Sequence, residues 1–386
     1  MRFRHPGGTA VHLGYCSNVH QAEDLAGVIG QLAAYAEPVR GRLGVDRLGI
    51  GLWLAHGVVA ELAKDERQLV RLRHELSARG LETVTLNAFP YAGFHREVVK
   101  KDVYLPDWAD ETRLHHTLDC ARALAALLPD DAQRGSVSTL PLAWREPWPP
   151  ERADAARRAL ERLTAGLAQI EAETGRRIRV GFEPEPGCVV ETTAQAVREL
   201  GGLDPERLGI CLDACHLAVQ FEEPAAALRR LADAGLPVVK LQASCAVEAG
   251  DPADPAAREA LRRLAEPRFL HQTRTVRGSQ VLAADDLPDA LDGALPTDAG
   301  PWRVHFHAPL HAEPEPPLRT TADQLETVLA ELVGGPVADC DHIEVETYTW
   351  SVLPGPPTDL ADGIAAELTW ARDRLAGLGL KEEHAS

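Results

Sequence analysis

A closed parallel (β/α)8 barrel is the fold this sequence predicts. Three observations carry the prediction. Apolar, β-rich runs alternate with amphipathic helical stretches along the whole chain; eight such runs can be counted; and each is near-continuously apolar, the pattern of strands covered on their faces. A chain of 386 residues has room for the roughly 250 of a bare barrel, with the remainder in insertions.

The strands are expected at 12–18, 47–54, 81–89, 136–144, 178–186, 207–215, 237–244 and 342–350. Stretches rich in helix formers lie between them at 21–43, 57–79, 110–128, 151–174, 193–200, 223–234, 253–265, 322–333 and 360–377. Gly44, Gly80, Gly175 and Gly235 stand just past helical stretches, where a left-handed residue is wanted before the next strand. The surplus length follows strand three (89–108), strand four (141–151) and strand seven (245–320), and so gathers at the face where barrels keep their active sites. Residues 1–386 therefore read as one TIM-barrel domain. Its third insertion, 245–320, holds the β-like pieces 269–276 and 302–309 and is expected to fold over the barrel mouth as a lid.

Composition narrows the function. The hydrophobic fraction is 45% and the charged fraction 25%, and no apolar run nears the roughly 20 residues of a membrane span. No apolar segment backs the opening MRFRHPGGTA, so a soluble, cytoplasmic protein without membrane insertion is expected. Cysteines 16, 120, 188, 211, 215, 245 and 340 are scattered and form no CxxC pair, which disfavours disulfides and a thiolate zinc site. A net charge of −18 with no basic run disfavours nucleic acid as partner. Gly49 and Gly51 lack the third glycine of a dinucleotide loop, and neither a P-loop nor a GxSxG elbow is present.

The informative residues stand at strand ends. GFEPEPGC (181–188) carries Glu183 and Glu185, LDACH carries Asp213 and His216, KLQAS carries Lys240 and Gln242, and IEVETY carries Glu344 and Glu346. Side chains two apart share a face, so inward-facing pairs would converge as a ring of carboxylates on the barrel axis. Such a ring raises its own pKa values unless compensated, and a divalent cation (Mn²⁺, Mg²⁺ or Zn²⁺) is the simplest compensation. A ligand set of two or three of these carboxylates with a histidine or glutamine, such as His216 or Gln242, suits such an ion. His271, His305 and His307 are candidates either as ligands or as contacts to an anionic substrate. Asn18, His20, Asn87, Glu185, Glu344 and Trp144 are further substrate-contact candidates, and the aromatics Phe89, Tyr91, Phe94, His95, Trp144 and Trp148 either wall a ligand site or pack the insertions.

FEPEP, CLDACH and VETY resemble the strand-end motifs of the xylose-isomerase-like TIM barrel superfamily, which includes sugar isomerases, keto-sugar epimerases and endonuclease IV. Over nearly the whole chain, GYCSNVH, LNAFPYAGFH, VYLPDW, FEPEPGC, FLHQTR and HFHAPLH resemble the EboE family of metabolite-traffic proteins. The superfamily resemblance implies a divalent metal on Glu183, Asp213 and Glu346 with His216 nearby. Sugar epimerases offer a strand-seven His where this chain has Gln242, which leaves the fourth ligand open between His271 and His307, with a metal-free site as the other outcome. The EboE resemblance implies a role in making or exporting a secondary metabolite, beside a partner such as a prenyltransferase-like membrane protein, and supplies no reaction.

The resulting expectation is metal-assisted isomerisation or epimerisation of a small polyhydroxylated metabolite. Glu183 or Glu346 would take the proton, and Lys240 would stabilise the oxyanion. The alternatives are a non-catalytic metabolite-binding protein, motivated by Gln242, and an endonuclease-IV-like phosphodiesterase, which the charge disfavours.

Overall fold

The computed structural model describes residues 1–355 and 359–383. Eight parallel strands close a barrel: β1 (Ala10–Cys16), β2 (Leu48–Trp53), β3 (Leu81–Glu82 and Thr85–Asn87), β4 (Arg134–Thr139), β5 (Arg177–Phe182), β6 (Leu208–Asp213), β7 (Val238–Ala243) and β8 (His342–Val345). Strand β1 pairs with both β2 and β8, which seals the cylinder. The seam needs glycine: Gly14 lies opposite Gly49, and a Cβ on Gly14 would stand 2.7 Å from the Gly49 carbonyl carbon.

The strands stop earlier than their apolar runs suggest, and at β6 the polar residue that ends the strand caps the next element. Strand β6 ends at Asp213, whose side chain accepts from the His216 backbone N–H and so starts a short helix, Ala214–Val219. Strand β8 ends at Val345, before a 3-10 turn at Tyr348–Val352. The stretch 57–79 is two helices, His56–Lys64 and Glu66–Ala78, divided at Asp65, which caps the second by accepting from Arg67 N. At the other end of the barrel, Arg2–Arg4 pairs antiparallel with the start of β1 and with Lys381–Glu383, a closure that short polar segments did not announce.

Residues 247–320 carry a second, antiparallel sheet ordered Gln280–Ala284, Thr273–Arg277, Trp302–Val304, Val247–Ala249, Leu318–Thr320. Only Thr273–Arg277, which runs one residue past the expected 269–276, and Trp302–Val304 overlap the β-like pieces expected there. The sheet brings the residues after Val304 to the C-terminal ends of the barrel strands: Ala308 N donates to Cys245 O, and His307 Nδ1 donates to Glu346 O. All seven cysteines are buried and free.

Inside the barrel, Lys240 on β7 and Glu344 on β8 are fully buried, with Lys240 Nζ 2.6 Å from Glu344 Oε2 and 3.2 Å from Ser138 Oγ. Burial opposes the ammonium charge, but Glu344 together with the neighbouring Cys211 and Cys16 outweighs it, so Lys240 is held above its ordinary pKa. Gly51 makes room for the carboxylate, since a Cβ there would lie 1.2 Å from Glu344 Oε1. Removing one partner strands the other charge. Lys240→Met is therefore expected to cost about 3–5 kcal/mol in urea unfolding, and the double variant Lys240→Met/Glu344→Leu to regain most of that loss; equal destabilisation in both would contradict this account of the pair.

Candidate metal centre

Three strand ends converge above the Lys240–Glu344 pair. Glu183 follows β5, Asp213 ends β6 and Glu346 follows β8, and one carboxylate oxygen from each lies within 4.8 Å of the others. All three are buried. Hydrogen bonds orient Glu346 and Asp213. Glu346 Oε1 accepts from Asn18 Nδ2 at 2.8 Å and Asn87 Nδ2 at 3.0 Å. Asp213 Oδ1 accepts from His216 N and Ser244 Oγ, each at 2.8 Å. Glu183 Oε2 and Asp213 Oδ2 have no hydrogen-bond partner among the described residues.

Burial, then the neighbouring Glu346 and Asp213, push the Glu183 carboxyl well above its usual range; burial, Asp213 and Glu344 do the same to Glu346. Buried carboxylates with free lone pairs aimed at one point are a cation's donor set, so these residues fit the divalent metal that the sequence suggests. Hard oxygen donors suit Mg²⁺ or Mn²⁺, and adjacent imidazoles admit Zn²⁺.

A second layer of donors adjoins the first. Asp213, His216 and His307 form one group of mutually close ligand atoms, and Glu185, His216 and His305 another. Glu183 and Glu185 thus both face the mouth but serve different sets. Burial lifts Glu185 to a pKa of about 8, against the hydrogen bonds it accepts from Tyr104 Oη (2.7 Å) and Gln272 Nε2 (3.4 Å). Burial lowers His216 to about 4, and lowers His305 and His307 as well.

The remaining candidates are placed differently. His271 spends both ring nitrogens elsewhere, on His305 O and on Glu266 Oε1, each at 2.9 Å. His20 bonds Tyr15 Oη at 2.9 Å and stacks on Tyr35, away from the mouth. Trp144 lies outside the cavity, against Tyr104 and over Gly187, whose φ of 95° and missing Cβ admit the indole. Lys240 and Glu344 are fully buried as a pair and do not line the cavity. Gln242 is buried with neither amide atom bonded among the described residues.

The cavity over the carboxylates is about 60 Å³, walled by Phe89, Phe94, Phe269 and Tyr348. Tyr104, Gln272 and Tyr348 escaped the sequence reading. Tyr104 stands in the strand-three insertion at VYLPDW and Gln272 beside His271; the insertion 89–108, the β-like piece 269–276 and the EboE-like motifs marked those stretches but not these residues.

A family model described as xylose isomerase-like TIM barrel matches residues 43–244, a little over half of the chain. No curated protein matches the sequence significantly. Solved structures with the same fold include the IolI protein with a bound zinc atom (12% identity, 95% of this chain and 99% of that one, TM-score 0.51). A second is a xylose isomerase-like TIM barrel protein from Mycobacterium smegmatis in complex with magnesium (14%, 95% and 97%, 0.51). A third is L-ribulose 3-epimerase (12%, 96% and 96%, 0.50). Among the described residues no helix is long and apolar enough to cross a membrane.

Because Glu183 and Glu346 hold protons above the usual carboxylate range, a cation must displace those protons to bind. Calorimetric titration with Mn²⁺ in buffers of different ionisation heat is expected to show proton release and an affinity that falls as pH is lowered from about 8 to about 5.5. An affinity independent of pH would contradict this.

Proposed function

The chain belongs to the xylose isomerase-like TIM barrel family, and from that membership we propose that it is a metal-dependent isomerase or epimerase of a small polyhydroxylated carbonyl compound. The observation that carries the reading is the set of buried carboxylates Glu183, Asp213 and Glu346, two of them with an unpartnered oxygen, at the C-terminal mouth of the barrel. These residues would hold the cation, which when bound supplies positive charge to a carbonyl and its neighbouring hydroxyl and so favours loss of a proton from the carbon between them.

The chain's own groups divide the remaining work. Asn18 and Asn87 clamp Glu346 as an acceptor. Glu183, with Oε2 free, is the group placed to take the carbon-bound proton. Glu185, with its pKa raised to about 8, keeps a proton near neutrality and can donate it to a substrate oxygen. The aromatic walls exclude water from the intermediate. A cavity of about 60 Å³ is smaller than a sugar-sized ligand needs, so in this reading 245–320 is a lid of the single domain that must part for entry.

The EboE-like motifs support a place in secondary-metabolite synthesis or traffic, with a prenyltransferase-like membrane protein as partner. A second reading, a binding protein without turnover, is favoured by Gln242, whose amide has no bonded partner among the described residues at the position where epimerases of this kind offer histidine.

Incubating the metal-loaded protein in deuterated water with a panel of aldoses and ketoses, and following carbon-bound deuterium by NMR, tests the first reading. Exchange into at least one sugar is expected, reduced by about 100-fold or more in Glu183→Gln. Tight retention of a metabolite without exchange would support the binding protein instead.

A further inference from the structure

We infer that strand Gln280–Ala284, the outer edge of the second sheet, is a docking surface for a second copy of this chain, the two edges pairing antiparallel about a two-fold axis beside Leu282. The inference does not depend on the metal-centre reading.

The sequence leaves this edge open. Sheet ends are normally short, charged or covered, because their free N–H and C=O groups template further strands. Elsewhere the chain keeps to that rule. Lys381–Glu383 has three residues, all charged, and Leu318–Thr320 has three, with Arg319 exposed. Gln280–Ala284 has five residues, QVLAA, with neither a charge nor a proline. Gln280, Val281 and Ala283 are exposed, and Val281, at 38%, is among the few large apolar side chains that the described residues leave open to solvent.

Register decides which backbone groups face outward. Arg277 pairs with Gln280, so Gly278 and Ser279 form a two-residue turn, with Gly278 at a φ of 62°. The pair flanking such a turn exchanges both its hydrogen bonds, and bonded pairs alternate with non-bonded ones along the ladder. Leu282 and Ala284 therefore bond Thr275 and Thr273 within the hairpin, while Val281 and Ala283, opposite Val276 and Arg274, turn N–H and C=O away from it. Among the described residues no backbone group beyond the hairpin bonds them.

A second copy fits this edge in both pairing and charge. With the axis beside Leu282, Val281 stands opposite the second copy's Ala283, and every outward N–H meets an outward C=O. One face of the joined sheet then sets valine against alanine, and the other sets leucine against leucine, the apolar cross-strand pairs that stabilise a ladder. The ends complement one another as well. Arg277, bridged to the exposed Asp298, lies at one end of the edge, and the partly exposed Asp285 lies at the other, so the two-fold brings basic end to acidic end. Two copies that each carry a net charge of −18 repel over most of their surface, and an uncharged edge with complementary ends is where that repulsion is least. A single strand pair buries less than a permanent interface needs, so the dimer is concentration-dependent.

Sedimentation velocity of the full chain from about 1 to about 300 µM tests this, with amide exchange followed at both ends of the range. The wild type is expected to pass from monomer to dimer, and the Val281 and Ala283 amides to slow by about 10-fold or more as it does. Ala283→Pro removes an outward N–H and no bond of the hairpin, and Val281→Lys puts charge on the open strand. Both variants are expected to stay monomeric at the highest concentration with unchanged circular dichroism, while Val337→Lys, at an exposed valine elsewhere, dimerises as the wild type does. Val281→Lys decides alone if the proline variant fails to fold. A dimer that survives both edge substitutions overturns the inference. So does a wild type monomeric throughout: fast-exchanging Val281 and Ala283 amides would then leave the edge to a foreign extended peptide, and protected ones would show it covered within the chain.

Discussion

The cost of burying acidic groups at the mouth of a closed barrel is the constraint on which the rest of this structure depends. Glu183, Glu185, Asp213, Glu344 and Glu346 are all at most 5% exposed, and Lys240 answers only Glu344 directly. Uncompensated charge in such a place costs more than a domain's marginal stability can absorb, so it must be protonated or matched. Asp213 caps a helix and accepts two hydrogen bonds through Oδ1, yet its Oδ2 has no hydrogen-bond partner among the described residues. The proposed cation would be the other answer, and the unpartnered oxygens of Glu183 and Asp213 are placed to receive it.

That architecture is layered. Lys240 and Glu344 form a neutral pair in the barrel, with Gly51 hollowed out to seat the carboxylate. Above them lie the three converging carboxylates, oriented by Asn18 and Asn87 from the facing strand ends. Above those, the second sheet lowers His305 and His307 onto His216. Each layer limits the water that reaches the one beneath, which strengthens every charge interaction inside.

The barrel was legible from the sequence because strand-by-strand apolarity and the helices between are local patterns, summed over eight repeats. The roles within the strand-end motifs were only half legible. Two-residue spacing correctly put Glu183 with Glu185 and Glu344 with Glu346 on inward faces, but depth along the barrel axis is not written in that spacing. Glu344 and Lys240 therefore proved to be a buried pair, where the sequence suggested a substrate contact and an oxyanion stabiliser. His20 and His271 show the same limit, since a polar residue near a strand end can turn aside to a tyrosine or a glutamate that only the tertiary fold brings near. Tyr104, Gln272 and Tyr348 act through partners 33 to 168 residues away, and no local pattern encodes that.

Elemental analysis of the tag-free protein, wild type beside Asp213→Ala and Glu346→Ala, tests the central claim most directly. The account predicts Mn, Mg, Zn or Fe in the wild type, at one equivalent per chain or more, and a clear loss in both variants while their circular dichroism stays that of the wild type. A wild-type protein that holds no metal, even after incubation with each ion, would contradict the claim that a cation compensates the buried carboxylates.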